Sequence, residues 1–118
     1  MKSWTMIRKD KRLIKDRVIY DRENPYDFLF VGEIKLDGMP RTSVIAGSNE
    51  NGWEHVSVCP VGRCPTWDEM CEVKDIFWGE EEECIQIHPK KSQYVNIMDH
   101  CLHIWRHKDG MKLPEIGR

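Results

Sequence analysis

The sequence predicts an α+β domain: an antiparallel sheet of about five or six strands, with one main helix, residues 66–78, packed on one face. Three observations carry that prediction. Residues 65–79, PTWDEMCEVKDIFWG, combine helical periodicity with signals for both helix ends. Short alternating, β-branched runs lie on either side of that stretch. The turns between those runs are too short for parallel crossovers, which need a dozen residues or more.

The helix is bounded by chemistry at each end. Pro65 blocks continuation from the preceding segment, and Thr66 with Glu69 has the capping-box spacing. Trp67, Met70, Cys71, Ile76, Phe77 and Trp78 recur at helical spacing, so an apolar face needs a cover. Gly79 stands where a left-handed cap is wanted. The strands read in order as Arg12 to Tyr20, Tyr26 to Leu36, Thr42 to Gly47, Trp53 to Val58, Cys84 to His88 and Cys101 to His107. Gly32 is expected to mark a bulge in the second. Asn24-Pro25, Asp37-Gly38 and Asn51-Gly52 are turn signals, with Pro40 lengthening the middle one beyond a two-residue hairpin.

Composition bounds the function. A chain of 118 residues with net charge −2 forms a single domain, 1–118, and lacks the basic excess of a general nucleic-acid or membrane binder. No apolar run approaches ~18 residues, and the start has no signal-peptide apolar region. Basic charge gathers in an N-terminal arm, residues 1–11 and just beyond, read as solvated with Trp4, Met6 and Ile7 docking. Residues 108–118 read as a tail. Glu80 to Glu83 read as a solvated acidic loop, because adjacent acids cannot all face one ion. Five cysteines at spacings that suggest no disulfide framework read as free thiols in a reducing cytoplasm. Cys59-x4-Cys64 could close on a metal but lacks a second pair at standard spacing, so no metal or other cofactor is assigned.

The pattern that bears on chemistry is the alternation of three strands. Val56 and Val58 oppose Trp53, His55 and Ser57. Ile85 and Ile87 oppose Cys84, Gln86 and His88. Leu102 and Ile104 oppose Cys101, His103 and Trp105. The aliphatic sides suit the helix. If the three strands are neighbours, the other sides gather His55, His88 and His103 on one surface. Such a surface has three readings: a solvated outer sheet face; a binding face with Trp53 and Trp105 as stacking platforms for a planar, nucleotide-like molecule; or a catalytic site using the imidazoles with or without zinc. No histidine motif of known catalytic spacing is present, and no catalytic residue is assigned. The 88–96 loop adds Lys91 for a phosphate and Ser92, Tyr94 and Asn96 as hydrogen-bonding groups, or is simply a polar connector. The binding set is then Trp53, His55, Gln86, His88, Lys91, Ser92, Tyr94, Asn96, His103 and Trp105. An exposed Trp-bearing face could equally serve as a homo-oligomer interface.

The run from Trp53-Glu54-His55-Val56-Ser57 through Pro65-Thr66-Trp67-Asp68-Glu69-Met70, Lys74-Asp75-Ile76-Phe77-Trp78, Gln86-Ile87-His88-Pro89 and Ser92-Gln93-Tyr94-Val95-Asn96 to Cys101-Leu102-His103-Ile104-Trp105 resembles a family of small bacteriophage and prophage proteins. That resemblance carries no catalytic assignment. It implies an accessory protein in the host bacterial cytoplasm, countering an antiviral system by sequestering a small nucleotide-like ligand or occupying a host protein. A small histidine-dependent phosphoesterase or other hydrolase is the alternative.

Overall fold

A computed structural model of the chain describes residues 1–19, 26–49, 51–81, 86–89 and 101–110. In chain order the elements are α1 (Trp4–Arg8), β1 (Leu13–Ile19), β2 (Tyr26–Ile34), β3 (Thr42–Asn49), β4 (Trp53–Pro60), α2 (Trp67–Phe77), β5 (Gln86–Pro89) and β6 (Leu102–His107). The six strands form one antiparallel sheet in the order β1-β2-β3-β4-β6-β5. The first four make a meander, as short connections require. The last two reverse, so β6 lies between β4 and β5.

One face of the sheet is closed by α2. Val44 and Ala46 of β3, Val56 and Val58 of β4 and Ile104 of β6 are all fully buried, with Met70, Val73, Ile76 and Phe77 of α2 in the same cluster. Each such side chain contributes roughly 1.5–3 kcal/mol through burial. The helix begins on the capping box the sequence spells out: Thr66 Oγ1 accepts from the Glu69 amide at 3.2 Å, and Glu69 Oε1 accepts from the Thr66 amide at 2.8 Å. Arg63 holds the same carboxylate, at 2.7 Å to Oε1 and 2.8 Å to Oε2. At the far end Gly79 takes φ +108°, the left-handed geometry that suits glycine.

Glu54 ties the sheet to the end of α2. Its Oε1 accepts from the Trp78 indole at 3.0 Å and from Arg106 at 3.2 Å, and its Oε2 lies 2.6 Å from the α-amino group of Met1. Burial pushes this carboxyl up, but the amino group, the indole and Arg106 together outweigh burial and hold it below its ordinary value.

Four expectations are corrected. The N-terminal arm is not merely solvated: residues 4–8 form α1, Ser3 caps it, and Ile7 is buried in the core, whereas Met6 is exposed. Trp67 is 68 % exposed, so the apolar stripe of α2 is covered only from Met70 onward. Gly32 does mark a bulge, but the extra residue is in β1, not β2: between the pairs Ile14–Glu33 and Arg17–Val31, two β1 residues face Gly32 alone and Lys15 takes φ +52°, while the pairing of Gly32 with Val44 of β3 is regular; a second irregularity falls between Tyr26 and Phe28. The strand at β4 runs two residues further than expected, through Cys59 and Pro60, because β3 continues alongside and pairs Thr42 with Pro60. No helix among the described residues is long and apolar enough to cross a membrane.

Candidate functional site

The face of the sheet turned away from α2 carries a row of rings built from two strands. Register pairs Trp53 with His107, His55 with Trp105 and Ser57 with His103. One step further, Cys59 and Cys101 are joined by a disulfide with a Cα–Cα separation of 4.4 Å. That separation is the one found at non-hydrogen-bonded antiparallel pairs, where side chains approach most closely. Because pair types alternate residue by residue, all four pairs on this face are of that close kind.

The close pairing brings the rings into a continuous row. His55 and Trp105 have centroids 4.1 Å apart and tilted by 30°. His55 stacks on His103 at 4.9 Å and 16°. Trp53 meets Trp105 edge-on at 6.3 Å and His107 edge-on at 4.9 Å. Trp53, His55, His103 and Trp105 are half-buried, so the row is partly open, while Ser57 and His107 are buried.

Polar contacts lock the His107 end. His107 Nε2 donates to the Asn51 carbonyl at 2.7 Å, and its Nδ1 accepts from the Asp109 amide at 3.1 Å, which assigns the Nε2–H tautomer. The Lys108 amide also donates to the Gly52 carbonyl at 2.9 Å. In mid-row, His55 Nε2 and His103 Nδ1 share a hydrogen bond of 2.7 Å. Burial, and next the charge His103 would carry, push His55 down from 6.5 to about 3. His55 is therefore neutral at physiological pH, and offers a donor–acceptor edge instead of a cation.

The predicted binding residues divide into three groups. Trp53, His55, His103 and Trp105 come together as described. Gln86 and His88 of β5 stand at the register positions opposite Trp105 and His103, on the strand next to β6. Lys91, Ser92, Tyr94 and Asn96 lie outside the described residues, as do Glu82 and Glu83 of the acidic run.

The reading of all cysteines as free thiols is overturned at Cys59 and Cys101. Free thiols are found at Cys64, exposed beyond β4, and at Cys71, partly buried on α2. His107 also belongs to the row without having been singled out. Its signal was available: it continues the alternation of Cys101, His103 and Trp105. With the Cys59–Cys101 disulfide formed, no group of three or more His, Cys, Asp or Glu side chains among the described residues is disposed to hold a metal ion.

No curated protein and no solved structure matches the chain. The family model described as a domain of unknown function (DUF7694) matches residues 45–109, a span that contains β4, α2, β5, β6 and the whole ring row. That is more than half of the sequence, so the chain belongs to this family of domains of unknown function.

Proposed function

We propose that the chain is a binding domain, not an enzyme, and that it takes a planar, hydrogen-bonding molecule such as a nucleobase against the ring row. The observation that carries this reading is the row itself. Two tryptophans and three imidazoles occupy adjacent close pairs on the sheet face turned away from α2. Stacking a base on such a platform is worth roughly 1–3 kcal/mol. The neutral His55 within it suits a polar heterocycle more than an anion. A hydrolytic role draws no support from His55, since a base with a pKa of about 3 is far from the working pH at which acid–base catalysis is efficient. In the setting the resemblance implies, a phage accessory protein in the host bacterial cytoplasm, the same face would sequester a nucleotide-like host signal or occupy a host protein that presents one.

The test is a titration of the full chain with adenine and guanine nucleotides, followed by tryptophan fluorescence and calorimetry. Saturable binding is expected, weakened at least tenfold by Trp53→Ala or His103→Ala with the thermal midpoint little changed. Absence of binding to any purine or pyrimidine nucleotide at millimolar concentration overturns the reading.

A further inference from the structure

Two sulfurs and an imidazole converge at the open end of the β4–β6 ladder. Cys59 and Cys101 are directly opposite, with their Cα atoms 4.4 Å apart. His103 is the next residue along β6 on the same face, and its cross-strand partner is Ser57. Ser57 Oγ lies 3.6 Å from Cys59 Sγ. We propose that reduction of this disulfide opens a binding site for one thiophilic divalent metal ion of the zinc type, with Cys59, Cys101 and His103 as ligands.

The geometry suits that exchange. A tetrahedral zinc with Zn–S bonds of about 2.3 Å holds its sulfurs roughly 3.8 Å apart. Opposed cysteines at a close antiparallel pair can reach that separation by side-chain rotation, leaving the strands in place. Residues two apart on a strand lie about 6.8 Å apart on one face, within reach of a shared ion for a cysteine and a histidine. His103 already has the support a ligating imidazole needs: its Nδ1 is held by His55 Nε2, so Nε2 is the nitrogen assigned to the metal.

In the oxidised protein both sulfurs are consumed by their mutual bond, so two of the three ligands do not exist as thiolates. The reaction balances with a dithiol as reductant. The dithiol gives two electrons and two protons to the bond, yielding two cysteine thiols and its own cyclic disulfide. The incoming ion then displaces both thiol protons to solvent. Cys64 and Cys71 lie outside the disulfide and are not required.

The experiment uses the full chain, reduced by a dithiol that is removed anaerobically, and then titrated with Co²⁺ and Zn²⁺. One equivalent of Co²⁺ is expected, with a thiolate-to-cobalt charge-transfer band and tetrahedral visible bands that Zn²⁺ abolishes. The oxidised chain, which has the same sequence, is expected to show neither. Cys59→Ser is expected to weaken Co²⁺ at least 100-fold, and His103→Gln at least tenfold with a shift of the visible bands. Circular dichroism of each variant checks that it folds, and the reduced wild-type spectrum decides the question if one does not. The proposal is overturned if the reduced chain shows no charge-transfer band. It is equally overturned if Cys59→Ser binds as tightly as wild type, or if Cys64→Ser removes the band.

Discussion

Mild acid is the perturbation that acts most directly on the ring row in the oxidised protein. His55 has a folded pKa of about 3, pushed down from 6.5 first by burial and then by the facing imidazole of His103. The folded value lies below the unfolded one, so protons bind the unfolded chain in preference. The stabilisation is complete above about pH 6.5 and is lost progressively as pH falls from there toward 3. Integrating between pH 7 and pH 5 gives a loss of about 2 kcal/mol, a substantial share of the ~5–15 kcal/mol that holds a domain together. That window is nearly free of carboxylates. Glu69 is held at about 2, first by its hydrogen bonds from Arg63, and Glu54 is also held low, so their contributions persist above the ordinary carboxylate range and fail only below it. Urea unfolding at pH 7, 6 and 5, read by tryptophan fluorescence, measures the slope. His55→Gln keeps a donor and an acceptor but cannot titrate, so it should remove most of the slope. An unchanged slope in His55→Gln, or no loss of wild-type stability by pH 5, refutes the picture of a neutral, largely buried His55.

Other perturbations probe the frame around that pair. Cys59 and Cys101 are 42 residues apart, and closing a loop of that length stabilises by up to about 4 kcal/mol, so reduction without added metal should lower the urea midpoint markedly. A midpoint unmoved by reduction and alkylation contradicts a bond that spans the ladder. Thr66→Ala removes the hydroxyl that caps α2 and should cost about 1 kcal/mol in thermal unfolding, while Thr66→Gly costs only a few tenths. Gly52 takes φ +89°, and a Cβ there would meet Lys108 at 2.9 Å and His107 Nε2 at 3.0 Å. Gly52→Ala should therefore cost at least 1 kcal/mol and loosen the His107–Asn51 bond, seen as faster amide exchange at Lys108 and Asp109. Ile104→Ala, fully buried beneath α2, should cost about 2–5 kcal/mol by urea unfolding.

What could be read from residues alone was whichever property depends on spacing within one segment. Alternation assigns Val56 and Val58 to one face of β4 and His55 to the other, because neighbouring side chains on a strand point oppositely. The Thr66/Glu69 pair likewise marks the start of α2 through contacts made inside a single turn. Covering is a different matter. Trp67 and Met70 share an i, i+3 stripe, yet one is exposed and the other buried, since periodicity does not say which turns of a helix have sheet beneath them. Neighbourhood is harder still. Nothing within β5 or β6 states that β6 sits between β4 and β5, and the meeting of His55 with His103 depended on that order. Once the order is known, the antiparallel register does the rest: the pairing that sets His55 against Trp105 also sets Cys59 against Cys101. The cysteine pair is not legible in the spacings, because the strand expected from the sequence ends at Val58, one residue short of Cys59. Proline lacks an amide donor, which normally excludes it from a central ladder. Here the β4–β6 ladder stops at Val58 and Leu102, so Pro60 pairs with β3 alone and the strand can carry Cys59 into the sheet. The disulfide and the ring row are thus two results of one register. A one-residue slip of β6 against β4 would separate His55 from His103 and Cys59 from Cys101 together, sending each β6 partner to the helix side.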